Sequence, residues 1–138
     1  MSKYISIFCT LILMLSIGCA STEEEVIASL GQEFSLQIGQ IAQIDKEEFE
    51  IRFEKVLEDS RCPKGVTCVW AGRVRCELKI KDKETSTDLE IAEPGLTDSP
   101  SLIINKEYKI FYHIQPYPEA GKEIAPDEYR LILKVGKN

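Results

Sequence analysis

Side chains and motifs that commonly carry out catalysis are scarce in this sequence of 138 residues. It has one histidine, His113, and it has no Gly-x-Ser-x-Gly elbow, no glycine-rich phosphate loop and no His-Glu-x-x-His sequence. These absences exclude the common motifs of serine hydrolases, nucleotide-binding proteins and zinc proteases. We therefore predict that the protein is not an enzyme and that it holds no cofactor and no metal.

An excess of basic residues is also lacking. Lysine and arginine number 17 against 23 aspartate and glutamate residues, so the formal net charge is -6 at pH 7. A protein that contacts a phosphate backbone needs a concentrated cationic face. The charge balance therefore argues against a nucleic-acid partner.

The main apolar run is too short to cross a membrane. It extends from Ile5 to Ile17, and Lys3 is the only charged residue before position 19. The run has about 13 residues, whereas a helix needs roughly 20 to span the hydrocarbon core. A basic start, a short apolar run and a small residue such as Gly18 are typical of a cleaved export signal, so residues 1–18 are predicted to be a signal peptide.

The sequence Leu15-Ser16-Ile17-Gly18-Cys19 resembles the lipobox of bacterial lipoproteins. The resemblance implies cleavage before Cys19 and acylation of its thiol, and each acyl chain would contribute about 0.8 kcal/mol of membrane binding per buried CH2. Residues 19–25 would then form an acidic tether, because they include three consecutive glutamates. Ala20 and this acidic stretch also resemble sorting signals, which implies a place in the cell envelope, at the outer membrane and exposed on the cell surface. A plain charged spacer is the alternative interpretation.

From residue 33 onward, apolar and polar residues alternate with the period of two that is typical of β-strands. Phe49, Ile51 and Phe53 form one such row, and Val56 and Leu57 then change its phase, which predicts a bulge or a bend in a long strand. The other rows are Phe34 to Ile38, Ile41 to Ile44, Val74 to Ile80, Leu89 to Ile91, Leu102 to Ile104, Tyr108 to Ile114 and Tyr129 to Val135. No amphipathic segment is long enough for the helical crossovers of a parallel sheet. Residues 26–138 are therefore predicted to form a single all-β domain, an antiparallel β-sandwich or small barrel of about seven to eight strands.

Two cysteines, Cys62 and Cys68, lie six positions apart across a proline and a glycine. In an exported protein such a pair is expected to form a disulfide that closes a tight loop. The chain-entropy relation gives roughly 2 kcal/mol of stabilisation for so small a loop. The disulfide would also set the position of Trp70, for which two interpretations are open: packing against the protein, or exposure as a binding residue.

The residues around this pair, Asp59-Ser60-Arg61-Cys62-Pro63 and Cys68-Val69-Trp70-Ala71-Gly72, are similar to a motif shared by an uncharacterised group of bacterial secreted proteins and lipoproteins. The similarity extends to Phe34 to Gly39 and, near the C-terminus, to Pro116-Tyr117-Pro118, Ile124, Pro126 and Tyr129. It implies a β domain with a disulfide-closed loop and no established activity.

One cysteine of the β domain, Cys76, has no assigned task. It shares a strand face with Val74, Leu78 and Ile80, which predicts a buried and inert thiol. The alternative is a zinc site with three thiolates and one imidazole, formed by Cys62, Cys68, Cys76 and His113.

Three hypotheses follow for the function. The first is a binding or interaction module, anchored to the membrane through the lipid on Cys19, that contacts an envelope protein or a glycan through Arg61, Lys64, Val66, Trp70 and Arg73. The second is a structural or accessory envelope lipoprotein in which the loop only holds the fold together. The third is a thiol-dependent or zinc-dependent protein. We favour the first.

Overall fold

The computed structural model describes residues 24–95 and 100–138. The predicted signal peptide, Cys19 and most of the predicted tether lie outside these ranges. The described residues form one short 3-10 turn, Pro126–Glu128, and nine strands: β1 Glu25–Ala28, β2 Glu33–Gln37, β3 Ile41–Ile44, β4 Phe49–Asp59, β5 Arg73–Asp82, β6 Thr85–Pro94, β7 Ser101–Ile104, β8 Tyr108–Gln115 and β9 Arg130–Lys137. In this part of the chain no helix is long and apolar enough to cross a membrane.

The strands form two sheets that enclose one core. The first sheet has the order β1-β3-β4-β5-β6, and the second has the order β2-β9-β8-β7. Neighbouring strands are antiparallel except β1 and β3, which run parallel. The predicted all-β fold, an antiparallel sandwich or small barrel, is confirmed, although the described residues form nine strands instead of seven to eight and one pair is parallel.

Alternation places the apolar rows in the core, as the sequence predicts. Phe49, Ile51 and Phe53 are completely buried in the first sheet, as are Ile110 and Ile114 in the second. The remaining core residues include Val74, Cys76, Leu78, Ile80, Leu131, Leu133 and Val135. The bulge predicted in β4 is confirmed, because the pairing with β5 shifts between Phe53 and Lys55 and again between Val56 and Glu58.

Strand β1 is not predicted by the sequence. Glu25, assigned above to the tether, is its first residue and pairs with Ile41, so this residue belongs to the β domain. The strand has only four residues, which is too short for a clear alternating pattern. It is formed by pairing with β3, 16 positions further along the chain, as the Glu25 and Ile41 partners show. Strand β6 also begins earlier than the Leu89 to Ile91 row, because the hairpin pairing of Asp82 with Thr85 extends it through exposed residues.

The connections lie at two opposite ends of the sandwich. At one end, called here the loop end, lie the connections 38–40, 60–72 and 116–129. At the far end lie the turns 29–32, 45–48, 83–84 and 105–107, with the C-terminus. Contacts between the sheets fix this alignment, since Phe49 stacks on Tyr108 toward the far end with ring centroids 4.3 Å apart. At the loop end the Arg61 side chain donates to the Ile114 carbonyl.

Candidate binding site

The connection between β4 and β5 contains a loop, residues 61–72, that we call the cap loop. Cys62 and Cys68 are joined by a disulfide, with their Sγ atoms 2.10 Å and their Cα atoms 5.9 Å apart. The predicted pairing of these cysteines is confirmed. At the base of the loop the Cys62 amide donates to the Ala71 carbonyl at 2.8 Å, so the two arms of the loop are also joined by the backbone.

A second segment of the chain supports the cap loop from the side. The Lys64 amide donates to the Pro118 carbonyl at 2.9 Å, and the Ala120 amide donates to the Lys64 carbonyl at 3.0 Å. These two bonds tie the loop to the connection between β8 and β9, which belongs to the other sheet. The backbone of the cap loop is therefore held by its own disulfide and by both sheets.

Glycine is required where the cap loop returns to β5. Gly72 has a positive φ of 68°, and a Cβ atom at this position would lie 1.8 Å from the Ser60 carbonyl oxygen. Gly95 also lies close to the loop, because a Cβ there would lie 2.3 Å from the Ala71 carbonyl oxygen. The two arms of the loop and the end of β6 thus pack backbone to backbone, which only glycine permits.

Three apolar side chains of the cap loop face solvent. Val69 is fully exposed, Trp70 is 80% exposed and Val66 is about half exposed. The interpretation that Trp70 packs against the protein is wrong, because the disulfide and the backbone bonds hold the loop with this side chain pointing outward. Exposed large apolar residues grouped on one loop are typical of contact surfaces.

Arg61, one of the candidate binding residues, lies inside the protein. Its side chain donates to the Asp59 carboxylate through Nε at 2.8 Å and through Nη2 at 2.6 Å. It also donates to the carbonyls of Ile114 at 2.8 Å and Pro116 at 2.9 Å. The residue is only 3% exposed, so its assignment as a surface contact is corrected: it pins the cap loop to the second sheet. Burial alone would lower the pKa of Arg61, but the hydrogen bond and charge of Asp59 outweigh burial and raise it.

A buried polar cluster surrounds this pin, and sequence reasoning missed most of it. Glu93 is 3% exposed, and its carboxylate accepts from the Ile114 amide at 2.6 Å and contacts His113 Nδ1 at 2.5 Å. The Tyr129 hydroxyl donates to Asp59 at 3.1 Å. Each of these bonds joins the two sheets. Glu93 lies two residues after Ile91, and this spacing was the signal in the sequence that its side chain faces inward.

Lys64 and Arg73 remain at the surface, as predicted for binding residues. The Lys64 ammonium lies 5.7 Å from the centre of the Tyr117 ring, and the Arg61 guanidinium lies 5.0 Å from the centre of the same ring. The Tyr117 ring therefore lies near both a buried cation and an exposed one. In the sequence, the exposed Lys64 and Arg73 flank Val66, Val69 and Trp70.

The zinc arrangement considered above is not formed. Cys62 and Cys68 are bonded to each other, and the His113 ring contacts Glu93. Across residues 24–95 and 100–138, no group of three or more His, Cys, Asp or Glu residues could hold a metal ion. Cys76 is completely buried and is not in a disulfide.

The buried thiol of Cys76 is expected to make the domain less stable in alkali. Burial raises its pKa from 9.0 to about 12, so the unfolded chain ionises first and stability falls as the pH rises through this interval, by at most about 1.4 kcal/mol per pH unit. Below pH 9 the contribution is fully present. Denaturant unfolding of residues 20–138 between pH 9 and 10 measures the slope, to which Tyr108, Tyr112 and Tyr129 also contribute because burial raises their pKa values. The Cys76→Ala variant should have a flatter slope, and an unchanged slope would contradict the assignment.

No protein-family model, no curated protein and no solved structure matches this chain. The resemblance to secreted lipoproteins thus stays a prediction, and the interpretation of the site depends on its geometry. The geometry combines an immobilised loop, exposed apolar side chains and two flanking cations. Such a surface can bind another surface by burying Trp70 and Val69.

Proposed function

We propose that this protein is a lipid-anchored binding module of the cell envelope and that the cap loop is its binding surface. The observation that carries the proposal is the exposure of Trp70, at 80%, on a loop that a disulfide and a buried ion pair hold in place. Water around an exposed indole ring is released when the ring is covered, so this position favours contact with a partner. The acyl groups on Cys19 would keep the module at the outer membrane.

Because the cap loop is already held in one conformation, binding a partner costs less free energy than it would for a flexible loop. Ordering a loop on association costs free energy for each side chain and backbone unit that becomes fixed. In the cap loop much of this ordering is already provided by the Cys62–Cys68 disulfide and by the backbone bonds of Lys64 with the second sheet. The apolar surface is thus presented in one conformation before a partner arrives.

The second candidate is a structural envelope lipoprotein whose loop only holds the sheets together. The specific observation in its favour is the Arg61 pin, which links the loop to Ile114 and Pro116 of the other sheet. This pin would be needed in both cases, because a binding loop must also be supported. A purely structural role, however, does not require Trp70 and Val69 to be exposed, as they are.

Site-specific photo-crosslinking in cells tests the proposal. A benzophenone amino acid replaces Val69 in the full chain, and mass spectrometry of the loop peptide detects adducts with any envelope component. Trp70→Ala is expected to weaken the contact about 30-fold, since loss of a central tryptophan costs about 2 kcal/mol or more of binding free energy. Ile103→Ala, which removes an exposed apolar side chain of β7, should leave the adduct unchanged. Equal adduct yields in both variants, or no adduct, would favour the structural role.

A further inference from the structure

We propose that the envelope component that the cap loop contacts is the bilayer holding the acyl chains of Cys19, so that Trp70 and Val69 lie in the membrane interface as a second point of attachment. The inference rests on the lipid anchor of the proposed function. The inference extends the proposed function by naming the surface that the cap loop faces. Its main argument is the position at which the chain enters the sandwich.

The direction of β1 determines that entry point. Glu25 pairs with Ile41 in the parallel β1–β3 pair, and Ile41 pairs with Arg52 in the antiparallel β3–β4 pair. Strand β4 therefore runs opposite to β1 and ends at Asp59, beside the cap loop. Followed backward from Glu25, the chain thus leads toward the loop end and away from the C-terminus. The Gln40 amide group also donates to Glu24 at 2.8 Å, and this places Glu24 beside the β2–β3 turn of the loop end.

The distances also agree with this placement. Seven residues separate Arg52 from Asp59, which corresponds to about 23 Å along a strand. Cys19 lies six residues before Glu25, and an extended chain of that length reaches about 20 Å. The backbone of Cys19 thus stops about 3 Å short of the level of Asp59, and its side chain with the acyl groups extends across the remaining distance. A bilayer at that level would face the loop end.

The chemistry of the cap loop suits an interface with lipid. From Ser60 to Cys76 the sequence contains no acidic residue, in a chain with 23 of them. Lys64 and Arg73 are exposed and lie before and after Val66, Val69 and Trp70 in the sequence. The neighbouring connection 116–129 contains Glu119, which is paired with Lys122, and three further exposed acids, Glu123, Asp127 and Glu128. Tryptophan is enriched where protein meets the headgroup region, and apolar side chains with nearby cations bind there without repulsion from anionic lipids.

The far end of the sandwich lacks such an exposed apolar surface. Its turns at 29–32, 45–48, 83–84 and 105–107 contain no exposed large apolar side chain among the residues that the structure describes. They carry Lys46, Glu48, Lys83, Glu84 and Lys106 instead, all exposed. Among the loops and turns that the structure describes, exposed large apolar side chains thus occur only in the cap loop, as expected if that loop faces a membrane.

Fluorescence of Trp70, the sole tryptophan of the sequence, tests the inference. The full chain is expressed in a bacterium that processes lipoproteins, purified, and reconstituted in phosphatidylethanolamine and phosphatidylglycerol vesicles with or without bromine on the acyl chains. Trp70 emission should shift to shorter wavelength in vesicles and should lose most of its intensity with the brominated lipids. The matched control carries Trp70→Phe and Glu84→Trp, which moves the tryptophan to the far end, and its emission should be unaffected.

The outcomes separate this inference from the proposed function. Equal quenching at both ends, or unquenched Trp70 in a chain whose Cys19 carries acyl groups by mass, overturns the bilayer contact alone. Crosslinking of residue 69 to a protein overturns it as well, while the binding module stands. Absence of acyl groups on Cys19 removes the anchor, and the inference falls with it.

Discussion

Replacing Arg61 with methionine is expected to lower the free energy of unfolding by about 3–5 kcal/mol, because it leaves the Asp59 carboxylate without its cation in the interior. The carbonyls of Ile114 and Pro116 lose their donors in the same substitution, and unsatisfied buried polar groups add to the loss. Denaturant unfolding of residues 20–138, followed by circular dichroism, measures the change. The Tyr129 hydroxyl is then the remaining side-chain donor to Asp59 in the described structure.

Arg75 provides the matched control for this prediction. It also forms ion pairs with two acids, Glu58 and Glu90, but it lies on the outer face of β5, where water solvates the charges. Arg75→Met should therefore change the stability little, since exposed ion pairs contribute weakly. The double variant Asp59→Asn with Arg61→Met should lose less than the sum of the two single variants, because each single change leaves an unmatched partner. Equal losses of unfolding free energy in Arg61→Met and Arg75→Met would show that the buried contacts of Arg61 do not stabilise the fold.

Replacing Gly72 with alanine is expected to cost about 3 kcal/mol or more. The new Cβ would lie 1.8 Å from the Ser60 carbonyl oxygen, and this neighbour is backbone that β4 and the Arg61 pin hold in place. The positive φ of 68° adds the ordinary cost of a side chain in the left-handed region. One arm of the cap loop must move to relieve the overlap, so the Val69 and Trp70 surface should be disturbed together with the stability.

Gly121→Ala serves as the control for backbone conformation alone. Gly121 has a φ of 76°, close to that of Gly72, but no atom lies within 4 Å of a Cβ placed there. Its substitution should cost about 1 kcal/mol, which reflects only the left-handed conformation. The difference in unfolding free energy between Gly72→Ala and Gly121→Ala, measured with denaturant, thus gives the cost of separating the two arms of the cap loop. Similar losses in both variants would show that the arms can separate at little cost.

Much of the fold could be predicted from local pattern. The rows of β4, β5, β8 and β9 alternate without ambiguity, so their inner faces follow from the period of the strand alone. Short β1 and the outer half of β6 could not be predicted in this way. Their residues are largely exposed, and hydrogen bonds to neighbouring strands determine their conformation.

The candidate site was predicted less well than the fold. Lys64, Val66, Trp70 and Arg73 do reach the surface, and the disulfide is formed. Arg61 does not reach it, although its position between Ser60 and Cys62 gives no sign of this. An arginine in a polar stretch has the same sequence pattern whether it is solvated or buried beside an acid, because local sequence does not show which carbonyls meet it.

The sequence by itself determined the all-β class, the inward rows and the pairing of Cys62 with Cys68, since each depends on residues close together in the chain. Tertiary structure alone decided that Arg61 lies inside and Trp70 outside. The carbonyls that bind Arg61 lie 53 and 55 positions further along the chain, and they meet it only when the two sheets close over the core. The same closure, together with the disulfide, holds the two arms of the cap loop, and on that loop the indole ring is exposed.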